Sequence, residues 1–131
     1  MAQHEIEIIL TRQLASCMAT PVFLVDPAGT LLYFNEPAER VLGQRFDEAG
    51  EMPVERWSTI FSPMDAAGVP LPAESLPLVV ALTECRPTHG HFWIHGLDHT
   101  LRRIEVTAFP IVGVADRFVG AVAIFWEDPG E

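Results

Sequence analysis

Val22-Phe23-Leu24-Val25-Asp26-Pro27-Ala28-Gly29-Thr30-Leu31-Leu32-Tyr33-Phe34-Asn35-Glu36-Pro37-Ala38-Glu39-Arg40-Val41-Leu42-Gly43 is the stretch whose reading decides the fold. Two apolar runs, Val22 to Val25 and Leu31 to Phe34, flank Asp26-Pro27-Ala28-Gly29. β-Branched and aromatic residues favour extended backbone, while Asp, Pro and Gly supply a turn, so the spacing predicts a β-hairpin. Asn35 stands where its side-chain oxygen accepts from the free N–H groups of a helix over Glu36 to Leu42. Pro37 falls in that helix's first turn, where a missing N–H is harmless. Gly43 is placed as the helix stop.

Upstream, residues 4–18 read as an amphipathic helix. Ile6, Ile9, Leu10, Leu14 and Cys17 recur at three- and four-residue spacing, with Glu5, Glu7, Arg12 and Gln13 largely on the other side. Pro21 closes it. Downstream, residues 44–75 are irregular and rich in Pro, Gly and acids, with a short helical turn around Val54 to Phe61. Glu74 to Cys85 reads as a helix with Leu76, Val79, Val80 and Leu82 apolar and Pro77 in its first turn. The last third is strand-like: His89 to His95, Leu101 to Phe109 and Phe118 to Trp126, joined by turns at Gly96 to His99 and Val112 to Arg117. This order of elements indicates an α+β fold with one five-stranded antiparallel sheet, helices on one face and an N-terminal amphipathic helix. The expected division is a helix over 1–18, the sheet domain over 19–128 and a tail over 129–131.

Length and charge narrow the function. The chain has 131 residues, 49% of them apolar and 20% charged, enough for one globular domain. Its eight basic residues are all Arg, against 18 acids, for a net charge of −10. That balance argues against nucleic acid and against an anionic membrane surface as partners. Cys17 and Cys85 form no CxxC pattern, and a reducing, cytoplasmic setting is expected. The N-terminus carries no basic and apolar leader pattern. The longest mostly apolar run, Phe118 to Trp126, falls well short of the roughly 20 residues a membrane helix needs.

Chemistry-bearing motifs are few. G-x-S-x-G, H-E-x-x-H, P-loop and G-x-G-x-x-G patterns are all missing, so no enzyme is expected. Asp47, Glu48, Glu51 and Glu55 lack the spacing of a calcium loop and read as a solvated face. His89, His91 and His95 share one parity of a strand, with His99 just beyond. Imidazoles in that pattern can ligate Zn²⁺, Ni²⁺ or haem iron, but only Asp98 is near in sequence to complete a set. The competing reading is a partly exposed His-rich strand that titrates near neutrality.

Val25 to Gly43 resembles the N-terminal signature of PAS domains: Asp and Gly in the first hairpin turn, Asn after the second strand, Gly closing the next helix. Trp57 to Phe61, Asp65-Ala66-Ala67-Gly68-Val69-Pro70-Leu71-Pro72, Leu76-Pro77-Leu78 and Ala81-Leu82 are similar to the linker and long helix of PAS domains on bacterial signalling phosphatases and kinases. The three closing strands, with Pro110 after the second, complete a resemblance over about residues 17–128. The chain departs at its end, where Trp126-Glu127-Asp128-Pro129-Gly130-Glu131 lacks the Asp-x-Thr that often joins such domains to an effector. A free-standing protein working through a separate partner is expected, with a piece of something larger as the alternative.

The resemblance implies a sensory or interaction module whose sheet curls around a small cavity. By that analogy Phe23, Leu32, Phe34, Phe92, Ile94, Ile104, Val106, Val122 and Ile124 point inward. They form either a pocket for an unidentified apolar small molecule or simply a filled core. The opposite face carries His91, Trp93, Arg103, Thr107, Phe109, Ala121 and Phe125, too apolar to leave in water. The N-terminal helix is its expected cover, from the same chain or across a homodimer, and PAS relatives often dimerise through this helix. The expected dimer interface comprises Ile6, Ile9, Leu10 and Leu14 with Trp93, Phe109 and Phe125. The acids concentrate outside the strands, so a signalling partner is expected on the sheet face.

Haem-binding relatives usually place their axial His on the long helix, which has none here. Flavin-binding light sensors of this fold use an Asn-Cys-Arg-Phe-Leu-Gln run that Glu84-Cys85-Arg86-Pro87 does not reproduce. Cys85 is then expected to be a small apolar filler and Cys17 part of the buried helix stripe. No cofactor or metal is expected. The readings kept open are a small-molecule sensor, a protein-interaction domain with a filled core, and a metal or haem sensor using the histidine strand.

Overall fold

Asp26 makes the first turn. In the computed structural model, which describes residues 6–128, its Oδ1 accepts from the N–H groups of Ala28 and Thr30, both at 2.9 Å. The hairpin that follows pairs β1 (Val22–Val25) with β2 (Leu31–Phe34). Asp65 repeats the device, accepting from Ala67 at 2.9 Å and Val69 at 3.0 Å. An Asp two and four residues ahead of otherwise free N–H groups sets both loops.

α1 (Ile6–Ser16) precedes the hairpin. After it come α2 (Glu36–Leu42), α3 (Phe46–Ala49), α4 (Val54–Ile60) and α5 (Pro77–Glu84), then β3 (Thr88–His95), β4 (Leu101–Val112) and β5 (Phe118–Glu127). The sheet is antiparallel throughout in the order β2-β1-β5-β4-β3. Both ends of α2 are built as the residue types require. Ala38 N–H donates to Asn35 Oδ1 at 3.2 Å, and Gly43 takes a left-handed φ of 75°. A Cβ at Gly43 would stand 2.6 Å from Asp98 N, so the position demands glycine on two counts.

Some expected boundaries move. The helix expected over Glu74 to Cys85 begins only at Pro77, after a 3-10 turn over Ala73–Ser75. Leu76 is extended (φ −72°, ψ 137°), as the ring of a following proline favours. The middle region is more ordered than expected, since α3 forms there. The helix start at residue 4 and the tail over 129–131 lie outside the described residues.

Two apolar cores occupy the two sheet faces. The larger lies between the sheet and α2 to α5, around Phe23, Val25, Leu31, Phe34, Met52 and Trp57. The smaller joins Ile8 and Ala15 of α1 to Val22, Leu24, Leu32 and Val122. Leu32, Val122 and Ile124 therefore lie on the α1 face, not inward as expected, while Ala121 and Phe125 lie inward. In β2 the cause is a bulge. Leu24 faces Tyr33 but Val25 faces Leu31, leaving Leu32 as the extra residue. Leu31 and Phe34 consequently enter one core, and Leu32 and Tyr33 go to the other. In β5 both parities are apolar, and size decides between them. Ala123 sits between Phe23 and Ala108 in the register, so its small side chain leaves room for the bulky phenyl ring.

Candidate functional site

Helices and sheet do not close completely. A cavity of about 80 Å³ remains between them. Phe23 of β1, Phe92 and Ile94 of β3, and Ile104 and Val106 of β4 line it. Phe34 belongs to the same core without lining the cavity. Leu42, Trp57, Phe61, Pro63, Leu76, Leu78, Ala123 and Phe125 complete the wall. Of these, Ala123 and Phe125 follow once the parity of β5 is known. The others come from α2, from α4 and the loop after it, and from the start of α5, where strand alternation gives no guide.

Every lining side chain is apolar, apart from the indole nitrogen of Trp57. That N–H points to the Gly29 carbonyl, at 2.7 Å. The indole ring then stands edge-on to Phe23, with centroids 5.4 Å apart. The cavity therefore offers shape and apolar contact, with no side-chain donor or acceptor to fix a polar group. Pockets for drug-sized ligands run to roughly 300–1,000 Å³. At 80 Å³ this one suits only a few heavy atoms.

Asn35, 1% exposed, ties the site to α1. Its Oδ1 accepts from Val22 N–H at 3.0 Å as well as from Ala38, and its Nδ2 donates to the Ala15 and Thr20 carbonyls, both at 2.9 Å. One side chain thus joins the end of α1, the start of β1 and the start of α2. The sequence shows Asn35 as a cap but carries no sign of the other three bonds.

α1 itself sits on the sheet through Ile8 and Ala15. Its apolar stripe faces away: Ile6, Ile9, Leu10 and Leu14 are 63%, 47%, 57% and 64% exposed. Cys17 is exposed too, not buried on that stripe. Of the other residues expected at an interface, Trp93 is half-buried and Phe109 packs against the smaller core. Phe125 is buried in the cavity wall and faces the wrong way for a contact on the outer face. Trp126 is 40% exposed on the same strand.

His89 pairs with Glu105 at 2.9 Å and lies 6.2 Å from the Trp126 ring. His91 and His95 are exposed. Among the described residues no three His, Cys, Asp or Glu side chains are grouped to hold a metal. Cys85 is exposed in a left-handed conformation at the end of α5, so it is not the buried filler expected. Neither thiol lines the cavity. Where the β3–β4 turn meets α2, the Arg102 guanidinium and then the Thr100 N–H hold the Asp98 carboxyl down at about 2. Arg102 also donates to the Val41 carbonyl, fastening that turn to the helix.

Sheet order, capped α2 and the cavity beneath the sheet agree with a family match. A PAS domain model matches residues 10–80, just over half of the chain. The chain belongs to the PAS domain family. PAS domains are in general sensory modules and not enzymes.

Solved PAS structures share this fold. The PAS domain of BvgS from Bordetella pertussis is 14% identical, with a TM-score of 0.71, 97% of this chain and 90% of that one being covered. A PAS domain from Colwellia psychrerythraea is 18% identical, with a TM-score of 0.64 and coverage of 92% and 97%. A PAS domain from a two-component sensor histidine kinase is 11% identical, with a TM-score of 0.60 and coverage of 96% and 100%. At such identities the likeness is one of fold. No curated protein matches the chain. Among the described residues no helix is long and apolar enough to cross a membrane.

Proposed function

We propose that this PAS domain is a non-enzymatic sensory module that works as a homodimer through α1 and takes a small apolar molecule in its core cavity. The observation that carries the reading is α1. A helix that seats on its own sheet through Ile8 and Ala15, yet turns Ile6, Ile9, Leu10 and Leu14 outward, has a second apolar face to bury. Eleven residues of helix span only about 16 Å. Stable interfaces bury roughly 800 Å² per partner, so the contact extends onto the open outer face beside Trp93 and Phe109. The exposed free thiols of Cys17 and Cys85 fit a reducing, cytoplasmic setting. The named relatives from Bordetella and Colwellia fit a bacterial one.

Light scattering on the chain and on Leu10→Glu/Leu14→Glu tests the dimer. The unmodified chain should run as a dimer and the variant as a folded monomer. A monomeric unmodified chain, or a variant still dimeric, refutes it. Native mass spectrometry tests the cavity, where a retained organic mass of a few heavy atoms is expected. The volume of 80 Å³ also favours a second reading, an interaction module with an essentially filled core. An empty chain that still dimerises would select that reading.

A further inference from the structure

Along one flank of α1 runs a cleft of about 390 Å³, on the opposite side of the sheet from the core cavity. Arg12, Gln13 and Ser16 of α1 and Tyr33 of β2 wall it, over Leu24 and Leu32. Its size falls within the range of small-molecule sites, and its lining mixes polar groups with an apolar floor.

Arg12 distinguishes the cleft. Arg40, Arg45, Arg86, Arg102, Arg103 and Arg117 each pair with a carboxylate. In a chain of net charge −10, Arg12, like Arg56, pairs with none among the described residues. It lies instead over the Tyr33 ring at 4.6 Å, with the Phe46 ring at 5.7 Å. Stacking engages the face of a guanidinium and leaves its in-plane N–H groups free. Those groups match the two oxygens of a carboxylate, and the rings hold them in position beforehand. Of the floor residues, Leu24 is fully buried and Leu32 is 3% exposed. Reaching them requires α1 to lift, and among the described residues of the helix only Ile8 and Ala15 are buried.

We propose that this cleft is a second ligand site, for an organic monocarboxylate with a short aliphatic body, held by Arg12 and wedged between α1 and β2. The proposal does not depend on the core cavity binding anything. Octanoate, with octanol as its uncharged counterpart, is titrated into the chain while backbone amide shifts are followed by NMR. Saturable octanoate shifts should centre on Gln13, Ser16, Leu32 and Tyr33. Arg12→Gln should weaken octanoate by roughly tenfold or more, the scale of a lost charged hydrogen bond. Octanol binding should be unchanged by it. Arg56→Gln, which removes an arginine outside the cleft, should leave octanoate binding intact. The proposal is overturned if no saturable shifts occur, if they centre on Phe92 and Ile104 in the core cavity, or if Arg12→Gln and Arg56→Gln behave alike.

Discussion

Replacing Asn35 with alanine removes four hydrogen bonds from a site that water does not reach. Two N–H groups, of Val22 and Ala38, and two carbonyls, of Ala15 and Thr20, lose their side-chain partner together. A typical bond of this kind contributes about 0.5–1.5 kcal/mol net, and more when its partner stays buried and unpaired. The loss expected for Asn35→Ala is therefore about 3–5 kcal/mol, a large share of the roughly 5–15 kcal/mol that holds a domain folded. Urea unfolding followed by circular dichroism and by fluorescence of Trp57, Trp93 and Trp126 measures it.

The loss should also be uneven. Burying Ile8 contributes about 1.5–3 kcal/mol to seating α1, so losing the Ala15 bond, worth about 1 kcal/mol, loosens the helix noticeably. Amides of α1 should exchange about fivefold faster. Asn35→Asp serves as the packing control, because it keeps the acceptor but presents oxygen to the Ala15 and Thr20 carbonyls. Burial and those carbonyls raise the folded-state pKa of that carboxyl above its unfolded value. Its stability is then best at low pH and falls as pH rises through the folded value. A loss under about 1 kcal/mol for Asn35→Ala, or α1 amides as protected as before, would refute this account of Asn35 as the junction.

Three further outcomes follow from the same structure. Trp57→Phe leaves the buried Gly29 carbonyl without its donor and opens a gap beside Phe23, so it should lower stability by about 2–3 kcal/mol in urea titration. Gly43→Ala must take a left-handed φ and press on the Asp98 backbone, and a loss of about 1–3 kcal/mol should appear as a lowered Tm. Asp98 lies at about 2 when folded against 3.8 ordinarily, so its contribution is present above the ordinary carboxylate range and fades as pH falls toward 2. Acid titration of Asp98→Asn should lack that part of the decline.

What the sequence made legible was local, and what it hid was collective. The hairpin, the Asn35 cap and the Gly43 stop depend on residues within one turn of each other, and each forms as read. The sheet's inner face was readable on β3 and β4, where Phe92, Ile94, Ile104 and Val106 stand among polar neighbours. It was unreadable on β5, where every residue from Val119 to Trp126 is apolar or glycine and either parity would serve. On β2 the pattern misled, because strict alternation cannot anticipate an extra residue at Leu32. The same limit hid the orientation of α1. Periodicity found its apolar stripe correctly, but a helix with Ile8 and Ala15 on one side and Ile6, Leu10 and Leu14 on the other has two apolar faces. The sheet took the narrower one. A Cβ at Gly120 would stand 2.5 Å from the Val25 carbonyl oxygen and 2.9 Å from Ile8 Cδ1, so glycine there lets β5 lie close against β1 and leaves room for Ile8. The broader face, with Ile6, Leu10 and Leu14, stays exposed, and the proposed dimer rests on it.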